Sequence, residues 1–310
     1  MQRLLSTATI VGLLIATAAA FAITERLKLT KSPITGTLVS RTFSPSCGCA
    51  RVRANISVKL RRSDTVDVTI DDVHRRPVRT LVFGEGVPRG RTVFHWDGTT
   101  DAGTRAPDGV YRVQIHLDAQ HRTILLPNEI RLDTTPPEVV AAYSSHPQFS
   151  PDGDHQADSV TIRYALSKEA HIRVYLGGRL LIRSRSGKAE GAIGWSGTVD
   201  GRLLPPGTYT LTVGAVDLAG NSTPLARRGH VRVELRYITL ANHRLKGVAA
   251  GARFDIGVST DAKRYTWTLG ARKGVASGPD LKLRAPHTPG TYRLTVTEHG
   301  HSDRAVVIVG

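Results

Sequence analysis

The chain has 310 residues, room for two or three domains. Its 42 Lys and Arg outnumber 26 Asp and Glu, a formal net charge of +16 for the whole chain, and the charge is spread from Arg51 to Arg304 without gathering in one patch. Such a surface attracts polyanions. Aromatic residues make up only 5% of the chain and there is no nucleic-acid reader motif, so base-stacking platforms and a nucleic-acid partner are not expected.

Residues 4–24 carry no charge, a run long enough to span a bilayer. Arg3 precedes it; Glu25, Arg26, Lys28 and Lys31 follow. Two readings of this transmembrane or signal helix stay open. An uncleaved signal anchor over residues 1–25 keeps the whole segment. A cleaved signal peptide would use Ala18-Ala19-Ala20 or Ala20-Phe21-Ala22 as its small-residue site. The run exceeds the usual apolar core of a signal peptide, which favours the anchor. Charge alone does not set the orientation, because Arg26, Lys28 and Lys31 weaken the case for a cytoplasmic N-terminus. Residues 26–41 read as a polar linker.

Beyond residue 30 helix-type periodicity is scarce and turn and β-branched residues dominate, so the expected class is all-β. A first domain is expected over 42–133. Val52, Ala54, Ile56, Val58 and Leu60 alternate with Arg53, Asn55, Ser57 and Lys59. Val66, Val68 and Ile70 form a second alternating run, and Thr80-Leu81-Val82 and Val93-Phe94 are shorter ones. A period of two predicts strands with one buried face.

Next comes the stretch around which the chain is organised: Trp96-Asp97-Gly98, Asp101, Gly103, then Pro107-Asp108-Gly109-Val110-Tyr111. Val113, Ile115 and Leu117 follow as an alternating strand. Asp-Gly and Pro-Gly pairs make tight turns, because Gly accepts positive φ and Pro presets φ at the first corner. A Tyr at the head of a strand suits a corner in which the ring packs inward and the hydroxyl ties back to the backbone.

Asp133-Thr134-Thr135-Pro136-Pro137 marks a boundary, since two prolines cannot continue a central strand. A second domain is expected over 138–235. In it Val160, Ile162, Tyr164 and Leu166 alternate, and the organising stretch returns as Trp195-Ser196-Gly197, Asp200-Gly201 and Pro205-Pro206-Gly207-Thr208-Tyr209. Phe149-Ser150-Pro151 also echoes Phe43-Ser44-Pro45, so the repeat covers most of each domain. A third domain, 237–310, keeps only the end of the unit, Pro289-Gly290-Thr291-Tyr292, with Trp267 in mid-strand much earlier.

These residues resemble the FlgD/Vpr-type bacterial Ig-like domain, found in the flagellar hook-capping protein FlgD and in certain secreted bacterial proteases. Its signature is W-D-G-x-D-x-x-G-x-x-x-P-x-G-x-Y. The first copy meets it at Trp96, Asp97, Gly98, Asp101, Gly103, Pro107, Gly109 and Tyr111. The second departs at Ser196 and is one residue shorter. Asp133-Thr134-Thr135-Pro136-Pro137 resembles the junction between tandem bacterial Ig-like domains, and Asp217-Leu218-Ala219-Gly220-Asn221 resembles a hairpin of such modules. The resemblance implies three tandem Ig-like β-sandwich domains outside the cytoplasm. In them Trp96, Asp97, Gly98, Gly109, Tyr111, Trp195, Gly197, Gly207, Tyr209, Gly290 and Tyr292 are structural. It identifies a module and carries no activity with it.

Phe149-Ser150-Pro151-Asp152-Gly153-Asp154, with Asp158, resembles the F-S-P-N-G-D-G-x-x-D opening of this family, with His155 in place of a Gly. Asp152, Asp154 and Asp158 could present oxygens to Ca²⁺, but there is no bidentate Glu at loop position twelve. The alternative is a solvated acidic turn. Cys47 and Cys49 are the only cysteines. A disulfide between them, suited to an exported chain, and free or intermolecular thiols are both open. Ser46-Cys47-Gly48-Cys49-Ala50-Arg51 also resembles the nucleophile motif of L,D-transpeptidases. That family places a catalytic domain before its Cys and a His shortly upstream, whereas the first His here is His74.

No metalloprotease, serine-hydrolase or phosphate-loop motif is present. The sequence therefore predicts a non-enzyme without cofactors: a membrane-anchored, extracytoplasmic stalk. Its partner would be a cell-envelope protein or polymer. Direct binding of wall carbohydrate or anionic polymer is the alternative.

Overall fold

The computed structural model describes residues 11–22 and 32–310. Residues 11–22 are helical. The rest of the expected anchor, 1–10 and 23–25, lies outside the described residues. No helix among the described residues is long and apolar enough to cross a membrane.

The chain divides into two compact units, Met1–Thr134 and Thr135–Gly310, so the division falls within the Asp133–Pro137 run. The first unit contains β1 (Ile34–Val39), β2 (Thr42–Phe43), β3 (Ala54–Leu60), β4 (Asp64–Asp71), β5 (Pro77–Val87), β6 (Gly90–Trp96), β7 (Gly109–Leu117) and β8 (Arg122–Leu132). They form a three-stranded sheet, β1-β3-β6, and a five-stranded sheet, β2-β8-β7-β4-β5. The inward residues of both sheets make one core, with Ile56, Val68, Ile70, Trp96 and Val113 fully buried. Alternation put them there: β4 shows the inside–outside period along most of its length.

The linker expected over 26–41 is in part a strand. β1 pairs antiparallel with β3, from Ile34 opposite Leu60 to Val39 opposite Ile56. Its Thr35, Gly36 and Thr37 dilute the alternation, and only Val39 is buried, as befits an edge strand.

The second unit holds two such cores. Around the first of them lie β9 (Val139–Ser144), β10 (Gln148–Phe149), β11 (Val160–Leu166), β12 (His171–Leu176), β13 (Arg179–Arg183), β14 (Glu190–Trp195), a small hairpin of β15 (Thr198–Val199) and β16 (Arg202–Leu203), β17 (Gly207–Val216) and β18 (Gly229–Leu235). The sheets are β14-β11-β9 and β10-β18-β17-β12-β13, again three strands against five.

Around the other core lie β19 (Thr239–Leu240), β20 (Arg244–Val248), β21 (Arg253–Ser259), β22 (Tyr265–Leu269), β23 (Arg272–Ala276), β24 (Asp280–Arg284), β25 (Gly290–Glu298) and β26 (His301–Val309). Their sheets are β19-β21-β24 and β20-β26-β25-β22-β23. All three sandwiches thus repeat one plan. In each, a short early strand pairs in parallel with the last one: β2 with β8, β10 with β18, β20 with β26.

Candidate functional site

The repeated Trp–Tyr stretch is a packing frame. Trp96 is fully buried, its ring 5.3 Å from that of Phe43 and 4.8 Å from that of Tyr111. Trp195 stands 5.6 Å from Phe149 and 6.1 Å from Tyr209. Each indole N–H donates to the carbonyl three residues on, Thr99 or Thr198. Each tyrosine hydroxyl donates to the carbonyl four residues back: Tyr111 to Pro107, Tyr209 to Pro205 and Tyr292 to Thr288. That bond fixes the corner before each strand. Gly98 and Gly197 have φ of +83° and +73°. A Cβ there would lie 2.8 Å from Pro45 or Leu235, so left-handed backbone and close packing both demand glycine.

The polar residues of the stretch tie its turn. Asp97 accepts from the backbone N–H and hydroxyl of Thr99. Burial pulls its pKa up, but the Thr99 bonds outweigh it and hold the carboxyl below its usual value. Ser196 replaces this with one contact to the Thr198 hydroxyl. Asp101 accepts from Thr80 on β5, and Asp200 pairs with Arg179 on β13, so both turns are moored to the edge strand of the larger sheet. Gly109, Gly207 and Gly290 open β7, β17 and β25.

Cys47 and Cys49 are joined by a disulfide. The Cys49 sulfur therefore offers no thiol for transpeptidase chemistry.

In the second unit Asp152, Asp154 and Asp158 lie on the loop between β10 and β11. Asp158 is turned inward, accepting the N–H groups of Gly153 at 2.7 Å and His155 at 2.9 Å. It braces the loop and is not part of the carboxylate cluster. Asp152 and Asp154 instead meet Glu298, the last residue of β25, and one oxygen of each of the three lies within 4.8 Å of the others. Glu298 is 4% exposed. Its Oε2 accepts from the Thr260 hydroxyl, while its Oε1 is buried with no partner. Asp261 adjoins the cluster, and its buried Oδ2 is likewise unpartnered. Burial first, then the charges of Asp152, Asp154 and Asp158, push Asp261 up to about 6 against a backbone hydrogen bond that lowers it. Burial also raises Glu298, opposed by the Thr260 bond and aided by Asp152, Asp261 and Asp154. Among the described residues no Lys, Arg or His forms a salt bridge with any of these groups.

Beside the cluster, Ser150, Ala157, Arg236, Tyr237, Thr260 and Asp261 line part of a cavity of about 300 Å³. The Tyr237 ring stacks on His301, with centroids 3.5 Å apart. His299 and Gly300 form the two-residue turn between β25 and β26, both at positive φ.

The sequence reading singled out Asp152 and Asp154 but not Glu298 or Asp261. One signal for Glu298 was available. It follows Leu294 and Val296 in the inward register of β25, where a carboxylate is out of place.

The W-x-G turn, the buried indole and the tied tyrosine fall inside the one stretch of the first unit that is similar to a known family. Residues 50–120 match the FlgD Ig-like domain. That span runs from the end of the disulfide loop through β7 and contains the whole FlgD-type frame of Trp96 to Tyr111. No curated protein sequence matches the chain. Among solved structures, the fibronectin(III)-like modules of Clostridium thermocellum CbhA share 12% identity over 66% of this chain and 93% of theirs, TM-score 0.34. A fragment of three titin Ig domains shares 11% over 90% of this chain and 99% of its own, TM-score 0.32. The Bacteroides ovatus protein SGBP-B of a mixed-linkage glucan utilization locus, solved with a heptasaccharide, shares 15% over 91% of this chain and 69% of its own, TM-score 0.22.

Proposed function

We propose that the chain is a non-enzymatic structural and interaction protein of the cell envelope: a membrane-anchored, extracytoplasmic stalk. Its Ig-like domains would span 42–133, with β1 added in front, 138–235 and 237–310. The observation that carries this reading is the use made of the repeated residues. Trp96 and Trp195, 0% and 4% exposed, and their tied tyrosines go into packing, which leaves loops and sheet edges as the surfaces to present. The uncharged run before residue 25 supports the anchor, with Glu25, Arg26, Lys28 and Lys31 just beyond it.

Protease shaving of intact cells, with sequencing of the mature N-terminus, tests the proposal. The expected outcome is release of fragments from 42–310 while residues 1–25 stay with the membrane. A mature terminus just after Ala20 or Ala22 would replace anchoring by secretion. Protection in intact cells that is lost on lysis would overturn the external location. The net charge of +16 supports a second role, direct binding of an anionic wall polymer. Retention on purified polymer that disappears at modest salt would establish it.

A further inference from the structure

We propose that Asp152, Asp154 and Glu298 bind a calcium ion where the second and third sandwiches meet. The inference goes beyond the stalk reading and holds wherever the chain resides.

Three observations converge. Oxygens of the three carboxylates lie within 4.8 Å of one another. Ligands at about 2.4 Å from a shared ion can be no farther apart than about 4.8 Å, and the three oxygens meet that bound. Ca²⁺ accepts irregular sets of protein oxygens, whereas Mg²⁺ demands near-ideal octahedral geometry and gives up its waters reluctantly, so carboxylates gathered from two separate elements suit Ca²⁺ better. Glu298 is 96% buried by its 4% exposure, and its Oε1 has no hydrogen-bond partner. A buried carboxylate with an unmet oxygen is costly unless a cation or a proton meets it. Asp261 places a further unpartnered oxygen beside the cluster, and no basic side chain neutralises the group among the described residues. The donors are all oxygen, which selects a hard cation over zinc or copper.

The ligands come from two sandwiches. Asp152 and Asp154 belong to the loop that follows β10, and Glu298 ends β25. One ion therefore removes the mutual repulsion of these carboxylates and ties the β10–β11 loop to the β25–β26 turn, across the Tyr237 connection. Affinity in the range of extracellular calcium modules is expected, roughly 10⁻⁴–10⁻³ M.

The test is calorimetric titration of the full chain with CaCl₂ at neutral pH after chelator treatment. One Ca²⁺ per chain is expected, bound in preference to Mg²⁺. Glu298→Gln and Asp152→Asn should each weaken binding about tenfold or more, while Asp255→Asn, an exposed carboxylate on β21, should leave it unchanged. Glu298→Gln removes a buried charge and keeps the shape, so the variant should fold. Asp152→Asn lies in a surface loop and repeats the test independently of the core. Absence of binding at millimolar Ca²⁺, undiminished binding by both variants, or a preference for Mg²⁺ would overturn the assignment. None of these results bears on cell-surface location, which shaving reports separately.

Discussion

The loops that follow Phe43-Ser44-Pro45 and Phe149-Ser150-Pro151 start alike and end differently. Both phenylalanines are buried against their tryptophans, and both serines are buried beside them. Both loops are closed by a backbone bond spanning seven residues, Ser44 N–H to Arg51 C=O and Ser150 N–H to Ala157 C=O, each 3.0 Å. Both serine hydroxyls reach the side chain two residues on, Ser46 in one and Asp152 in the other. Inside that frame the first loop is clipped covalently, Cys47 to Cys49. The second is held by Asp158 accepting two backbone N–H groups, and it points Asp152 and Asp154 at Glu298. A closed loop of fixed length is thus common property of the scaffold. What fills it differs: a self-contained clip in one case, an acidic surface facing the next sandwich in the other.

The comparison breaks first at its shared part. If the Phe–Trp–Tyr frame supports both loops equally, Trp96→Ala and Trp195→Ala should each destabilise their own sandwich by about 3–5 kcal/mol. Denaturant unfolding of the full chain, followed by circular dichroism, checks this. A loss below about 1 kcal/mol at either site would show that the indole is not a core element there. Gly98→Ala and Gly197→Ala come next, at about 1–3 kcal/mol, because each forces a Cβ into left-handed backbone. The neighbours met are Pro45 in one loop's root and Leu235 and Phe149 in the other's.

This frame was legible in the sequence because its chemistry is local. Trp-x-Gly and Gly-x-Tyr pin φ, spacing and strand start within about 15 residues. Period-two runs such as Val52 to Leu60 then announced the core strands. β1 was not legible, because an edge strand with Thr35, Gly36 and Thr37 buries almost nothing. The carboxylate cluster was only half legible. Asp152 and Asp154 are close in sequence, but Glu298 and Asp261 reach them through the packing of one sandwich on another, which no local pattern encodes.

The third effect separates the two loops. Replacing both cysteines by Ser should cost the first sandwich about 1–2 kcal/mol, since so short a loop removes little chain entropy from the unfolded state. Thermal unfolding under reducing and non-reducing conditions should reproduce the difference in the natural chain. The acidic loop, having no covalent clip, should be indifferent to reductant.

The smallest effect runs the other way, sparing the clip and moving the acidic loop. With chelator present, Asp261 has its pKa raised to about 6 in the folded protein, above its ordinary 3.8. Asp152, Asp154 and Asp158 face it from the loop, and Glu298, also raised, from β25. A carboxyl raised on folding contributes stability below its unfolded pKa and loses it as pH rises through the folded value. The second unit should therefore unfold at a higher temperature at pH about 5 than at pH about 7. Glu234 and Asp303, whose carboxyls are held low, oppose this only at more acid pH, below their ordinary range. Among the described carboxyls of the first unit only Asp71 is raised, with the lowered Asp72 beside it, so its gain should be smaller. Partial exposure of Asp261 screens its share and keeps the shift modest. Equal shifts in both units would mean that the cluster is no more strained than an ordinary buried carboxyl, and the contrast between the loops would then be one of shape alone.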